Sequence, residues 1–270
     1  MSPLSDKGSS DCCFFLFRRP QVYVINVPFA ITMKILIVGA TSGIGRALFE
    51  LYVSQGHDVA VVGRRQNLLN EMRQQYSQSK IYTYCADVTD IESTPVWLNQ
   101  AWQDMEGVDI AVVSAGVGEL NPQLEFAREL PTLNTNVVGW TCLVDEVFNR
   151  FVEQGKGHLA VISSVGGQRG EPSAPAYTAT KAFQMNYAEA LRKKARKSKL
   201  PIYVTDIRPG FVDTKMAQGV GLFWVMPTDK VARQIACAIR RRRSVAVVTK
   251  RWRPIHFVWR HLPRFVYDRL

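Results

Sequence analysis

The sequence predicts an α/β chain, a doubly wound parallel β-sheet flanked by helices, within a single domain. Short and almost wholly apolar runs recur at residues 35–38, 59–62, 81–85, 110–114, 159–163, 202–207 and 245–248. Such runs, lacking polar alternation, suit strands buried on both faces of a parallel sheet. Segments of helical periodicity lie between them, at 45–55, 66–76, 92–105, 136–153, 177–197 and 228–240. Regular β-then-α order closes into a parallel sheet through right-handed crossovers. No repeat, linker or low-complexity block divides residues 33–250, so that stretch reads as one domain.

Composition bounds the rest. The 270 residues are 47% hydrophobic and 21% charged, enough apolar material for a substantial core. The five cysteines, Cys12, Cys13, Cys85, Cys142 and Cys237, have no metal-site spacing and read as reduced thiols of a cytoplasmic protein. His57, His158, His256 and His261 do not cluster either, so no metal site is expected. His57 and His158 read as surface or boundary residues, the Trp97/Trp102 pair as core or interface, and Glu106 and Asp109 as the two sides of a turn. Residues 1–32 carry only short apolar runs without a signal-peptide cleavage pattern. They read as a loosely attached extension, with Met33 the candidate functional start.

The first strand leads into Gly39-Ala40-Thr41-Ser42-Gly43-Ile44-Gly45, followed by helix. In a parallel α/β sheet a dinucleotide lies in the crevice at the carboxyl end of that strand. Glycines let the backbone approach the pyrophosphate, and the following helix aims its free N–H groups and positive dipole end at it. Gly39, Thr41, Ser42, Gly43, Ile44 and Gly45 are therefore the candidate phosphate cradle of a Rossmann-type sheet. The spacing is Gly-x-x-x-Gly-x-Gly, in place of the more familiar Gly-x-Gly-x-x-Gly.

The second strand ends Val61-Val62-Gly63-Arg64-Arg65, without the acid that accepts ribose hydroxyl bonds in NAD-preferring enzymes. Two guanidiniums suit a 2′-phosphate, and Arg46 beside the loop is expected to reinforce them. The preferred cofactor is thus NADP(H), with NAD(H) use left open. The plain alternative is a solvated arginine pair.

Tyr177 and Lys181 stand four apart in a predicted helix and share a face. A nearby ammonium stabilises a tyrosinate and brings the phenol into range for proton transfer. Ser164, just past the fifth strand, places a hydroxyl where a substrate oxygen is expected.

Together these motifs, in this order, make residues 33–250 resemble the short-chain dehydrogenase/reductase family. The resemblance rests on the Gly39/Gly43/Gly45 loop, Asp87-Val88, Ser114-Ala115-Gly116, Asn136-Val137-Val138-Gly139, Ser164, Tyr177 with Lys181, and Pro209-Gly210 with Thr214. It implies a hydride transfer between nicotinamide and a carbonyl or secondary alcohol. Tyr177 would be the general acid/base, Ser164 a hydrogen-bond partner of the substrate oxygen, and Lys181 a ribose ligand that tunes Tyr177. Asn136 would hold a water linking Lys181 to solvent. Asp87 and Val88 would touch adenine, Ala115, Gly116, Pro209 and Gly210 would line the cofactor, and Val212 and Thr214 would meet its carboxamide or phosphate edge. Ser114 departs from the family's frequent Asn at that place, which points to altered stability more than lost activity. The resemblance also implies a homodimer or homotetramer pairing helices 136–153 and 177–197.

Two other functions compete. A nucleotide-sugar epimerase or dehydratase shares the Tyr/Lys chemistry, but usually has a differently spaced loop and a longer C-terminal region. A regulator or scaffold that only binds NADP is the non-enzyme alternative, although such proteins commonly lose Tyr or Lys. Residues 211–226, with Phe223, Trp224 and Met226, read as a lid that favours an apolar or amphipathic substrate.

Charge is unevenly spread. The last 31 residues hold ten cations against Asp268 alone, so they carry +9 of the +11 net charge. The run Arg192–Lys199 complements a helix C-terminus, whereas residues 251–270 interleave cations with aromatics. That tail suits an anionic membrane surface, such as the inner face of a cell membrane. It equally suits packing on its own domain or a partner subunit, and nucleic acid is the least favoured reading. Pro254 and Pro263 are expected to leave room for one short helix between them.

Overall fold

The computed structural model describes residues 32–217 and 223–269. All but the last residue of the expected extension over 1–32, with Cys12 and Cys13, lies outside the described residues, as does the middle of the 211–226 segment.

The seven strands are β1 (Lys34–Val38), β2 (Asp58–Gly63), β3 (Ile81–Cys85), β4 (Ile110–Val113), β5 (Gly157–Ile162), β6 (Ile202–Pro209) and β7 (Val245–Val248). They form one parallel sheet in the order β3-β2-β1-β4-β5-β6-β7. Strand order reverses at β1, where Val38 pairs with Val62 on one side and Val113 on the other. The carboxyl ends of β1 and β4 lie at this switch point, the place where open α/β sheets bind ligands.

Side chains alternate across the sheet. Ile35 and Ile37 enter the core beneath α1 (Gly43–Ser54), α2 (Gln66–Gln75) and α7 (Thr228–Arg240). Leu36 and Val38 enter the opposite core beneath α3 (Thr94–Asp104), α5 (Trp140–Gln154) and α6 (Pro175–Ser198). Burial on both faces is why the central strands β1 and β4 are almost continuously apolar.

Three local features differ from the sequence expectation. The predicted helix over 136–153 is α5 preceded by a π turn at Asn134–Gly139 and by α4 (Phe126–Leu133), which the pattern did not suggest. Pro131, which has no N–H to donate, sits in the last turn of α4. His158 lies inside β5 and is buried, not at the surface or boundary, with Nε2 2.8 Å from Thr205 Oγ1.

The C-terminal segment forms α8 (Trp252–His261) and α9 (Arg264–Tyr267). Pro254 does not delimit α8 but lies in its first turn, where a helix has no N–H bond to lose. Trp252 is buried, and a Cβ at Gly210 would overlap its indole, so α8 is packed against the loop after β6.

Candidate active site

The glycine loop is built by close approach. Gly39 has φ +85°, and a Cβ there would lie 2.6 Å from Ala115 N, so β1 and β4 meet backbone to backbone at the switch point. A Cβ at Gly45 would collide with Gly39 O, which brings the start of α1 down onto the loop. Ser42 precedes α1 in extended conformation, yet its side chain caps none of the first-turn amides, and that turn holds no acid. Those N–H groups and the positive helix end are thus available to an anion. Thr214, in the segment after β6, faces Gly43, its methyl 3.1 Å from a Cβ placed there. Cradle, free amides and opposing threonine fit a dinucleotide pyrophosphate.

Arg65 lies over this loop, donating from Nη2 to Thr41 Oγ1 at 2.6 Å and to Ser42 Oγ at 3.0 Å. Arg64 turns the other way and pairs with Asp87 at 3.3 Å. Burial alone would raise the Asp87 pKa, but the Thr89 N–H and the Arg64 charge outweigh it and hold the carboxylate below its usual value. Arg46 does not reinforce the pair as expected, because it is bound to Glu50 at 2.7 Å and Gln75 at 2.8 Å. Val88 is buried, and its carbonyl abuts Gly139 at the end of the π turn.

That π turn presents Asn136, which is wholly buried. Its side chain closes on the segment after β4, accepting from Val117 N at 2.9 Å and donating to Val117 O at 2.7 Å and Thr180 Oγ1 at 3.1 Å. Its main-chain carbonyl accepts from Gln184 Nε2 at 2.9 Å, while Gln184 Oε1 accepts from Lys181 Nζ at 2.9 Å. Gln184 thus joins the main chain of Asn136 to the Lys181 ammonium through one side chain. Gly116 fits closely between them, since a Cβ there would stand 3.3 Å from both Asn136 Oδ1 and Lys181 Nζ.

Lys181 also donates to Ile162 O at 3.0 Å. Burial brings its pKa down to about 8, with the buried carboxylate of Asp206 opposing the fall. Asp206 accepts from Ser163 Oγ at 2.5 Å and pairs with Arg208 at 2.7 Å. Tyr177 lies on the same face of α6, its ring centroid 5.8 Å from Lys181 Nζ. Its phenol is raised above the ordinary tyrosine pKa by burial, and the Ser164 hydroxyl pulls the other way. The sequence argument had Lys181 lowering that pKa. Here the ammonium is spent on Ile162 and Gln184, and desolvation prevails. Ser164 opens the 3-10 turn Val165–Gln168 and accepts from Gly166 N at 3.0 Å, which fixes its side chain beside Tyr177.

The two ends of the 211–226 segment are tied by Met226 N donating to Phe211 O at 3.1 Å and Asp213 N donating to Met226 O at 2.9 Å. Val212 is buried in this closure. Pro209 ends β6, and the Gly210 N–H donates to Val248 O at 2.7 Å. Two site residues escaped the sequence reading. Gln184 was legible in principle, three residues from Lys181 and so on the same helix face. Gly118 was not. Its role is spatial, for a Cβ there would lie 2.4 Å from Tyr177 Cδ2, and no local pattern reports that contact.

Fold and site together define a nucleotide-binding α/β oxidoreductase class, and the comparisons make this specific. The family model for short chain dehydrogenase matches residues 33–222. An uncharacterized oxidoreductase of Mycobacterium tuberculosis is 32% identical over 243 residues, covering 87% of this chain and 92% of that one. Dehydrogenase/reductase SDR family member 7B of Danio rerio is 30% identical over 214 residues, covering 75% and 65%. The fold is matched by a short chain dehydrogenase of Burkholderia cenocepacia in complex with NADP, with TM-score 0.77, 16% identity and coverage of 88% and 97%. It is matched too by an actinorhodin polyketide ketoreductase with NADPH, with TM-score 0.71, 22% identity and coverage of 80% and 95%. The chain belongs to the short-chain dehydrogenase/reductase family and is an oxidoreductase of that family, whose members generally use NAD(P).

Proposed function

We propose that the protein is an NADP(H)-dependent oxidoreductase acting on a carbonyl or secondary-alcohol carbon, with Tyr177 as general acid/base and residues 33–250 as the catalytic domain. The observation that carries this is the placement, at one end of the sheet, of an Arg65-covered phosphate cradle and of Tyr177 beside Ser164. Nicotinamide supplies or accepts the hydride. In the reducing direction Ser164 hydrogen-bonds the substrate oxygen, and Tyr177, held as a phenol by burial, donates the proton to it. Lys181 holds positive charge beside the site and is itself held by Ile162, Gln184 and, through Gln184, Asn136.

Arg65 bridging Thr41 and Ser42 favours NADP, since a guanidinium fixed over the loop meets a 2′-phosphate with charge-assisted bonds. Phe223 and Trp224, both part-exposed on the lid, favour an apolar or amphipathic substrate. The outer faces of α5 and α6 are the surfaces on which a homodimer or homotetramer would pair. Free thiols at Cys85, Cys142 and Cys237 suit a reducing cytoplasm.

Titration with NADPH and NADH, followed by a panel of aldehydes and ketones, tests the reading. Tighter NADPH binding and oxidation by a panel member are expected, with turnover lost in Tyr177→Phe by a factor of about 100 or more while NADPH still binds. Undiminished turnover in that variant would exclude Tyr177 as the proton donor. Binding without oxidation across the panel would favour an NADP-binding regulator instead.

A further inference from the structure

We infer that the outward face of α8 and α9 is a docking surface for an anionic lipid bilayer. The pose of this segment is fixed from within. Trp252 is buried against Gly210 and stacks on Phe223 at 5.2 Å, and His256 Nε2 lies 2.7 Å from Gln168 Nε2 and 3.0 Å from Arg208 Nη1. Arg169 donates to the carbonyls of Trp259 and Leu262, closing the end of α8, and the Tyr267 hydroxyl donates to Gly170 O at 2.9 Å. The inward stripe is thus Trp252, His256 and Trp259, at helical spacing.

The opposite face carries apolar groups that the domain leaves uncovered: Phe257 is 64% exposed, Val258 53% and Phe265 66%. Exposed Arg253 and Arg264 lie among them, with exposed Arg260 at the edge of the face beside His256, and none of the three is in a salt bridge among the described residues. Lys250 and Arg251 add charge at the start of α8. Phe223 and Trp224, each 46% exposed, border Trp252 at the start of α8.

Aromatic and aliphatic groups ringed by arginine, on a short helix lying flat against its domain, match a bilayer interface, where rings enter the headgroup boundary and guanidiniums meet lipid phosphate. A second copy of this chain is the poorer occupant, because twofold pairing of the face would set like charges against each other. No helix among the described residues is long and apolar enough to span a membrane, so the contact is peripheral.

Flotation with vesicles of phosphatidylcholine alone, or mixed equally with phosphatidylglycerol, tests the inference on the full chain. The wild type should float with the mixed vesicles, not with phosphatidylcholine alone, and should be released by raised salt. Phe257→Ser/Val258→Ser/Phe265→Ser and Arg253→Glu/Arg260→Glu/Arg264→Glu should each weaken binding by about tenfold or more. Both should bind NADPH like the wild type, which reports folding separately from docking. Wild-type protein that stays off the mixed vesicles, or variants that float as it does, would overturn the inference. So would variants that change only the oligomeric state in size-exclusion chromatography, which would make the face an interface between copies.

Discussion

The side-chain amide of Gln184 donates to the main-chain carbonyl of Asn136 at 2.9 Å while its oxygen receives the Lys181 ammonium at the same distance. One side chain thus ties the π turn to the lysine that shares a helix face with Tyr177. Its charge state should be felt at Lys181. Gln184→Glu should raise the Lys181 pKa by adding an anion, and Gln184→Leu should lower it by removing a hydrogen-bond acceptor from a buried ammonium. The pH dependence of kcat should then move in opposite directions in the two variants. If both profiles match the wild type, the bridge is packing only.

Gly118 lies against the ring of Tyr177 because it has no Cβ. Gly118→Ala should push the phenol away from Ser164 and lower kcat by about tenfold to a hundredfold, a misplacement of the reacting group by roughly an ångström being enough. NADPH affinity should be kept, since the contact is on the substrate side. Equal turnover in variant and wild type would show that the Val117–Gly118 segment yields freely.

The two arginines after β2 are not equivalent. Arg65 holds the glycine loop hydroxyls, whereas Arg64 is neutralised by Asp87. Arg65→Ala should weaken NADPH binding by about tenfold or more through lost charge-assisted bonds, with little change for NADH. Arg64→Ala should have the smaller effect. Fluorescence titration of both cofactors on both variants decides this, and parallel losses for NADPH and NADH would remove the 2′-phosphate assignment.

His158 gives the fold an acid limit. Burial first, and the Arg242 charge second, lower its pKa from 6.5 to about 4. Between those values the unfolded chain binds a proton that the folded chain refuses, so this group's contribution to stability is complete above about pH 6.5 and lost as pH falls toward 4. Urea unfolding from pH 7 to pH 4 should show His158→Gln losing less stability than the wild type. An identical pH dependence would exclude His158 as a source of acid sensitivity.

How much of this was legible depended on the range of the signal. The sheet was, because Ile35, Leu36, Ile37 and Val38 are buried on alternate faces, and that leaves an unbroken apolar run. The geometry of the glycine loop was, because it is written in consecutive residues. Tyr177 and Lys181 share a helix turn and were equally plain. The electrostatics were not, since Ile162 reaches Lys181 from β5, and desolvation is a property of the whole fold. The bond that takes Arg46 away from the cofactor site is likewise long-range in part, through Gln75 on α2. Pro254 misled because a proline reads as a boundary in sequence but is harmless in a first turn.

Trp252 occupies the volume that any side chain at position 210 would need. Gly210 and the C-terminal helix are therefore a matched pair, separated by some forty residues of sequence yet obliged to vary together. A tail borrowed from a relative would fit only if it brought either the same indole or a loop after β6 reshaped to its own, and a β-carbon at 210 would expel the native one. What reads along the chain as an appendage is, as heritable architecture, half of a joint whose other half lies in the loop after β6.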